Sequence, residues 1–342
     1  MSAPGSKIPP RPHPPLRLGI SLCLLGEGVR YDGSHKRSSL CHDALEGLFE
    51  YEGICPEVAI GMGVPRAPIQ LVGDPARPRA KGVEDASVDV TDALANYGRR
   101  VAARIGDFAG YVLMNGSPSC GMHAVRVHVA VRGPAVGRPA ERRPGARHDR
   151  VGEGSGIYAR EIMAADPCLP VVESVRLEDA VVRESFVTRT FAYAHWKLLG
   201  PQRESVGAIL EFHSRYKYLL LAHSAAEYRR LGRLLANPPA VGDGELASRY
   251  IHGLMSGLSR AATRDSHADA LVHLVRSLEP GLNSASRREL TEAIEAHARG
   301  EVPRAAVLTL LARHQGSGPN GLVSGQVYLE PHPTLPHGRN ML

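Results

Sequence analysis

The chain has 342 residues, 43% of them apolar and only 5% aromatic, enough for two ordinary domains whose cores rest on Leu, Val, Ile and Ala. A formal net charge of +6 favours a polyanionic partner without requiring one, and five cysteines without regular spacing do not make an extracellular disulfide framework. No apolar run is long enough to span a bilayer, so no membrane association is expected and the reading is a reducing, cytoplasmic setting.

Residues 1–15 are proline-rich and lack the apolar segment of a signal peptide, so they are expected to form a disordered leader. From Leu16 short apolar runs alternate with helical stretches. RLGISLCLL reads as a strand, about His42 to Tyr51 as a helix, the run ending at Cys55 as a strand, TDALANYGRRVAARI as a helix and GYVLMNG as a buried strand. That alternation predicts an α/β fold, a Rossmann-like parallel sheet covering residues 16–175, with any site in the crevice beyond the carboxyl ends of the strands. Residues 132–150, rich in Pro, Gly and Arg, read as an exposed, mobile insertion, and SGIYAREIMAAD resumes a helix. Beyond about Arg176 the strand pattern gives way to helical periodicity, including one long segment over 206–236, so residues 176–342 are expected to form a separate all-α domain.

Cys23, Cys55 and Cys120 each follow an apolar run, in GISLCLLG, GICPEV and GSPSCGMH. Three thiolates from three loops point to one metal site, and a three-cysteine set leaves one iron of an iron-sulfur cluster without a protein ligand. Zinc is the rival, since His35, His42 and His123 lie near in sequence, but a closely spaced Cys-x-x-Cys pair is missing. Cys41 and Cys168 lack the setting and read as small buried hydrophobes. Glu57 follows Cys55 across a proline, placing a carboxylate beside the proposed metal; a surface glutamate explains it as well. Arg30, Asp32 and Lys36 form a polar patch after the first loop, and Arg66 sits in the stiff segment GVPRAPIQL; each suits an anionic substrate or an ordinary turn. In the helical part, His213 and Lys217 are four apart on one helix, with Arg229, Arg230 and Arg233 further along. Such a face suits either solvent or a sugar-phosphate backbone.

The motifs CLLGEGVRYDGSHK, CPEVAIGMGVPRAPIQL and NGSPSCGM resemble the bacterial thiouracil desulfidase domain. RESFVTRTFAY, FHSRYKYLLLAHS and YLEPHPTLPHGRNML are similar to the companion domain fused to it in tRNA 4-thiouridine desulfidases. The resemblance implies a 4Fe-4S cluster on Cys23, Cys55 and Cys120, with Glu57 as general base and acid and Ser117 as its hydrogen-bonding helper near the base. Non-redox conversion of 4-thiouridine in tRNA to uridine would follow, with release of hydrosulfide. Alternatives are a desulfidase of free thiouracil or thionucleosides, or a non-catalytic iron-sulfur sensor of RNA. Where the family pattern continues differently after the third cysteine, this chain has VRVHVAV.

Overall fold

Two apolar runs, Leu16–Ser21 (β1) and Gly110–Leu113 (β5), pair in parallel with Leu18 opposite Gly110 and Ile20 opposite Val112. They form the centre of a sheet in the computed structural model, which describes residues 8–129, 150–238, 243–278, 282–313 and 325–333. The order is β2-β1-β5-β8, with Phe49–Ile54 (β2) and Val171–Glu173 (β8) at the edges and β8 parallel to β5. All four residues of β5 are buried, as expected for a strand covered on both faces. Two helices follow from their apolar spacing: Thr91–Ala102 (α2), with Leu94, Ala95 and Val101 inward, and Ile157–Ala165 (α3). They pack closely at Gly98, where a Cβ would meet Glu161 Cβ at 2.8 Å.

A second four-stranded sheet was not anticipated. Its order is Arg79–Gly82 (β4), Ile69–Val72 (β3), Val125–His128 (β6) and Arg150–Gly154 (β7), with β3 and β6 parallel and the outer pairs antiparallel. Leu71, Ala80, Val125 and Val127 bury one face of it against Leu94 and Ile157. These strands have four or five residues and one buried face, so their alternation is short and easily read as loop. The first four residues of VRVHVAV, Val125–His128, supply β6. The expected helix from His42 to Tyr51 is also corrected: a π-helical turn covers only Leu40–Ala44, Gly47 adopts φ +76°, and the aromatic-rich run from Phe49 becomes β2. The insertion at 132–150 lies outside the described residues except for Arg150, which opens β7.

This mixed α/β unit spans Arg17–Glu178, and a second, all-α unit takes the rest. Its helices are Ala180–Leu198 (α4), Val206–His223 (α5), Ala225–Ala236 (α6), Asp243–Leu258 (α7), Arg264–Leu278 (α8), Ser284–Ala298 (α9) and Arg304–Ala312 (α10). The segment 206–236 is two helices rather than one. Ser224 leaves the helical conformation and its side chain accepts from Glu227 N at 3.2 Å, starting α6 as an N-cap. The leader is corrected in part: from Ile8 to Pro15 the chain belongs to the helical unit. Ile8 is 3% exposed, His195 Nε2 lies 3.1 Å from Pro9 O, and Arg11 donates to Pro331 O at 2.7 Å. No helix of the described residues is long and apolar enough to cross a membrane.

Candidate functional site

Adjacent strands place the three cysteines. Cys23 sits in the 3-10 turn Leu22–Leu25 directly after β1, and Cys55 directly follows β2 as the N-cap of the short helix Pro56–Ala59 (α1). Cys120 lies in the loop after β5. Because β2, β1 and β5 are neighbours in the sheet, their three loops meet, and all three cysteines line one cavity of about 300 Å³. Ser21 ties the first loop to the third by accepting from Met114 N at 2.9 Å.

The third loop is a tight turn built on Ser117. Its Oγ accepts from Ser119 N at 3.2 Å and Cys120 N at 3.1 Å, and its carbonyl accepts from Gly121 N at 2.8 Å. Gly116 takes φ +67°, which its missing Cβ permits. The α3 helix begins against this turn through Gly156, where a Cβ would lie 2.5 Å from Ser119 O.

Burial pushes the Cys23 thiol up to about 11, with Cys55 adding to the effect. Burial likewise raises Cys55, and raises Cys120 well above the ordinary thiol range although a hydrogen bond with Ser21 works the other way. Neutral, desolvated thiols are poor nucleophiles; a bound cation is what converts such groups to thiolates. Among the described residues no three His, Cys, Asp or Glu side chains close around a point that would hold a single metal ion. His35, His42 and His123 are not among the described residues lining the cavity, and His42 Nε2 is 3.2 Å from Leu25 O. Cys41 and Cys168 are buried elsewhere, 1% and 4% exposed.

Glu57 is the sole carboxylate among the described residues lining the cavity. Its Oε2 accepts from Arg66 Nε at 2.9 Å and Nη2 at 2.5 Å, and its Oε1 accepts from Ser119 Oγ at 2.8 Å. The hydroxyl that reaches Glu57 is therefore that of Ser119, not Ser117. Two serines two residues apart look alike in sequence; only the turn decides which one faces the carboxylate. Arg66 also differs from the expected substrate contact: it lines the cavity, but its guanidinium is committed to Glu57 and Gly63 O and its side chain is 5% exposed.

Arg30 and Lys36 line the cavity too. The buried Nε of Arg30 has no hydrogen-bond partner, and the nearest carboxylate oxygen, Asp32 Oδ1, stands 3.9 Å away. Asp32 itself is exposed, is not among the lining residues, and holds its own turn by accepting from Ser34 N and Oγ. His213 and Lys217 lie on α5 of the helical unit. Burial lowers His213 to about 4, with Lys217 adding to it, and Lys217 Nζ stands 4.8 Å from the Tyr218 ring centroid.

The chain is similar to several known proteins. A family model described as 2-thiouracil desulfurase matches residues 18–174, and one described as a protein of unknown function, DUF1722, matches 217–333. Uncharacterized protein YbgA of Escherichia coli strain K12 is 32% identical, over 44% of this chain and 90% of its own length. Uncharacterized protein YbbK of Bacillus subtilis strain 168 is 30% identical, over 30% of this chain and 71% of its own. Among solved structures, the [4Fe-4S]-dependent thiouracil desulfidase TudS is 26% identical, covering 50% of this chain and 99% of its own, with a TM-score of 0.35.

Proposed function

We propose that this chain, homologous to the 2-thiouracil desulfurase family over residues 18–174, hydrolyses the thiocarbonyl of a thiolated uracil at a 4Fe-4S cluster held by Cys23, Cys55 and Cys120. The observation that carries this reading is that three cysteines from three strand ends share one cavity wall with a single clamped carboxylate. The donor set fits the cluster: three soft sulfurs from three loops, partly or fully buried, line one cavity. When bound, the cluster supplies a soft Lewis acid at the iron that no cysteine holds.

The remaining chemistry belongs to the chain's own residues. A cavity of about 300 Å³ is at the lower end of the range for small-ligand sites and suits a single nucleobase. Ser117 Oγ already accepts two backbone N–H groups, so its proton is directed to a ligand in the cavity, where it donates to a ring carbonyl. Arg30 and Lys36 offset negative charge from thiolates or from the substrate. Glu57 takes a proton from water as the oxygen adds to the thiocarbonyl carbon, and returns it as the C–S bond breaks. Water plus C=S gives C=O plus H2S, which ionises to hydrosulfide, so no external electron donor or acceptor is needed.

The substrate is a thiolated uracil as free base or nucleoside. A second reading, tRNA carrying 4-thiouridine, is favoured by the net charge of +6 and by the fused helical unit. Anaerobically reconstituted protein is to be given 4-thiouracil, 4-thiouridine and thiolated tRNA in parallel. Hydrosulfide from the small molecules alone supports the first reading; hydrosulfide from tRNA supports the second. Salt-sensitive tRNA binding without any hydrosulfide would leave an RNA-binding sensor.

A further inference from the structure

We infer that Ser119 and Arg66 are positioning residues that aim the Glu57 carboxylate, leaving one lone pair of Oε1 to take the proton from water; this rests on the desulfidase reading above. A carboxylate offers about four lone-pair sites. Arg66 fills both on Oε2 through Nε and Nη2, at 2.9 and 2.5 Å, and Ser119 fills one on Oε1 at 2.8 Å. One site remains, on the oxygen held by the hydroxyl rather than by the cation.

Neither clamp is free to follow the carboxylate. Arg66 donates through Nη1 to Gly63 O at 2.9 Å, and its backbone N–H donates to Tyr31 O at 2.9 Å. Ser119 is fully buried, and its carbonyl accepts from Ala159 N at 3.0 Å. Gly156 lets α3 press on the same turn, since a Cβ there would also lie 2.9 Å from Cys120 N. The turn that presents Cys120 to the cavity therefore also presents the Ser119 hydroxyl to Glu57, fixing thiol and base relative to each other. General-base catalysis depends on such geometry before it depends on basicity. In the step so aimed, one O–H bond of water breaks with its proton passing to Oε1 as the C–O bond forms and the C=S π pair moves to sulfur. The Oε1 proton then passes to sulfur as the C–S bond breaks with its electron pair, and the remaining hydroxyl proton leaves to solvent as C=O forms, giving hydrosulfide and the free carboxylate.

The test pairs kinetics with structure. Ser119→Ala is expected to bind iron as the wild type does and to lose at least tenfold in kcat at a KM within twofold, with Ser119→Thr recovering most of the loss. In a Glu57→Gln background, Ser119→Ala is expected to cost less than a further twofold. Crystal structures of the metal-free wild type and Ser119→Ala are expected to show the carboxylate rotated away from its wild-type position in the variant. Wild-type kcat in an iron-replete Ser119→Ala protein, an undisturbed carboxylate, or an equal loss with and without Glu57 would each overturn the assignment. If wild-type protein releases no hydrosulfide from any thiolated substrate, the desulfidase reading fails, and the carboxylate's position in the two crystal structures still decides the clamp.

Discussion

Glu57 and Arg66 form a partly buried ion pair, their side chains 13% and 5% exposed, whereas Arg79 and Asp92 meet at the surface, 51% and 83% exposed. The two pairs differ in consequence. Arg66→Ala leaves a partly buried carboxylate without its cation and is expected to cost about 1–3 kcal/mol of stability in denaturant unfolding. Asp92→Asn is expected to cost about 1 kcal/mol or less. Glu57→Gln keeps the shape of the side chain but removes its basicity, so iron content should be unchanged while turnover falls by about 10²–10⁴-fold. Retained turnover in the iron-loaded variant would remove Glu57 from the reaction. That Cys23, Cys55, Cys120 and Glu57 come to one cavity was legible in sequence because each cysteine follows an apolar run and Glu57 follows Cys55 by two residues. The contact of Ser119 with Glu57 was not, because only the folded turn decides which of the two serines turns its hydroxyl to the carboxylate.

Between β4 and α2, Asp89 is a joint that connects two elements by side-chain hydrogen bonds. It accepts from Arg79 Nε at 2.6 Å and from Thr91 N at 3.1 Å. Burial alone would raise its carboxyl, but the bonds from Arg79 and Thr91 outweigh this and hold it at about 2. A folded value below the unfolded one means that the unfolded chain binds the proton first as pH falls. The stability Asp89 confers is therefore complete above about pH 4 and lost toward pH 2; Asp89→Asn should flatten the dependence of unfolding free energy on pH across that window. An unchanged slope would place the acid sensitivity elsewhere. At the α5–α6 break, Ser224→Ala is expected to cost about 1 kcal/mol through loss of the N-cap. That break carries a Ser-x-x-Glu signature, Ser224 to Glu227, yet apolar periodicity runs through it, so pattern alone reads one helix where a cap makes two. The parallel core strands were legible from their continuous apolar runs, while the second sheet was hidden by strands of four or five residues that alternate over too short a span.

The chain folds as a mixed α/β unit followed by an all-α unit, with residues 8–15 belonging to the latter. The helical periodicity of the second half made the all-α unit legible, but the attachment of Ile8, Pro9 and Arg11 rests on a few contacts that a proline-rich sequence does not advertise. The iron-sulfur desulfidase reading is tested by quantifying iron and acid-labile sulfide in anaerobically purified protein, for the wild type and for a triple variant Cys23→Ser, Cys55→Ser, Cys120→Ser, with hydrosulfide release measured on the same samples. About four irons per chain and turnover in the wild type, with both lost in the triple variant and both kept in Cys41→Ser and Cys168→Ser, is the expected result. Hydrosulfide release from iron-free wild-type protein, or a triple variant that retains its iron, would contradict it.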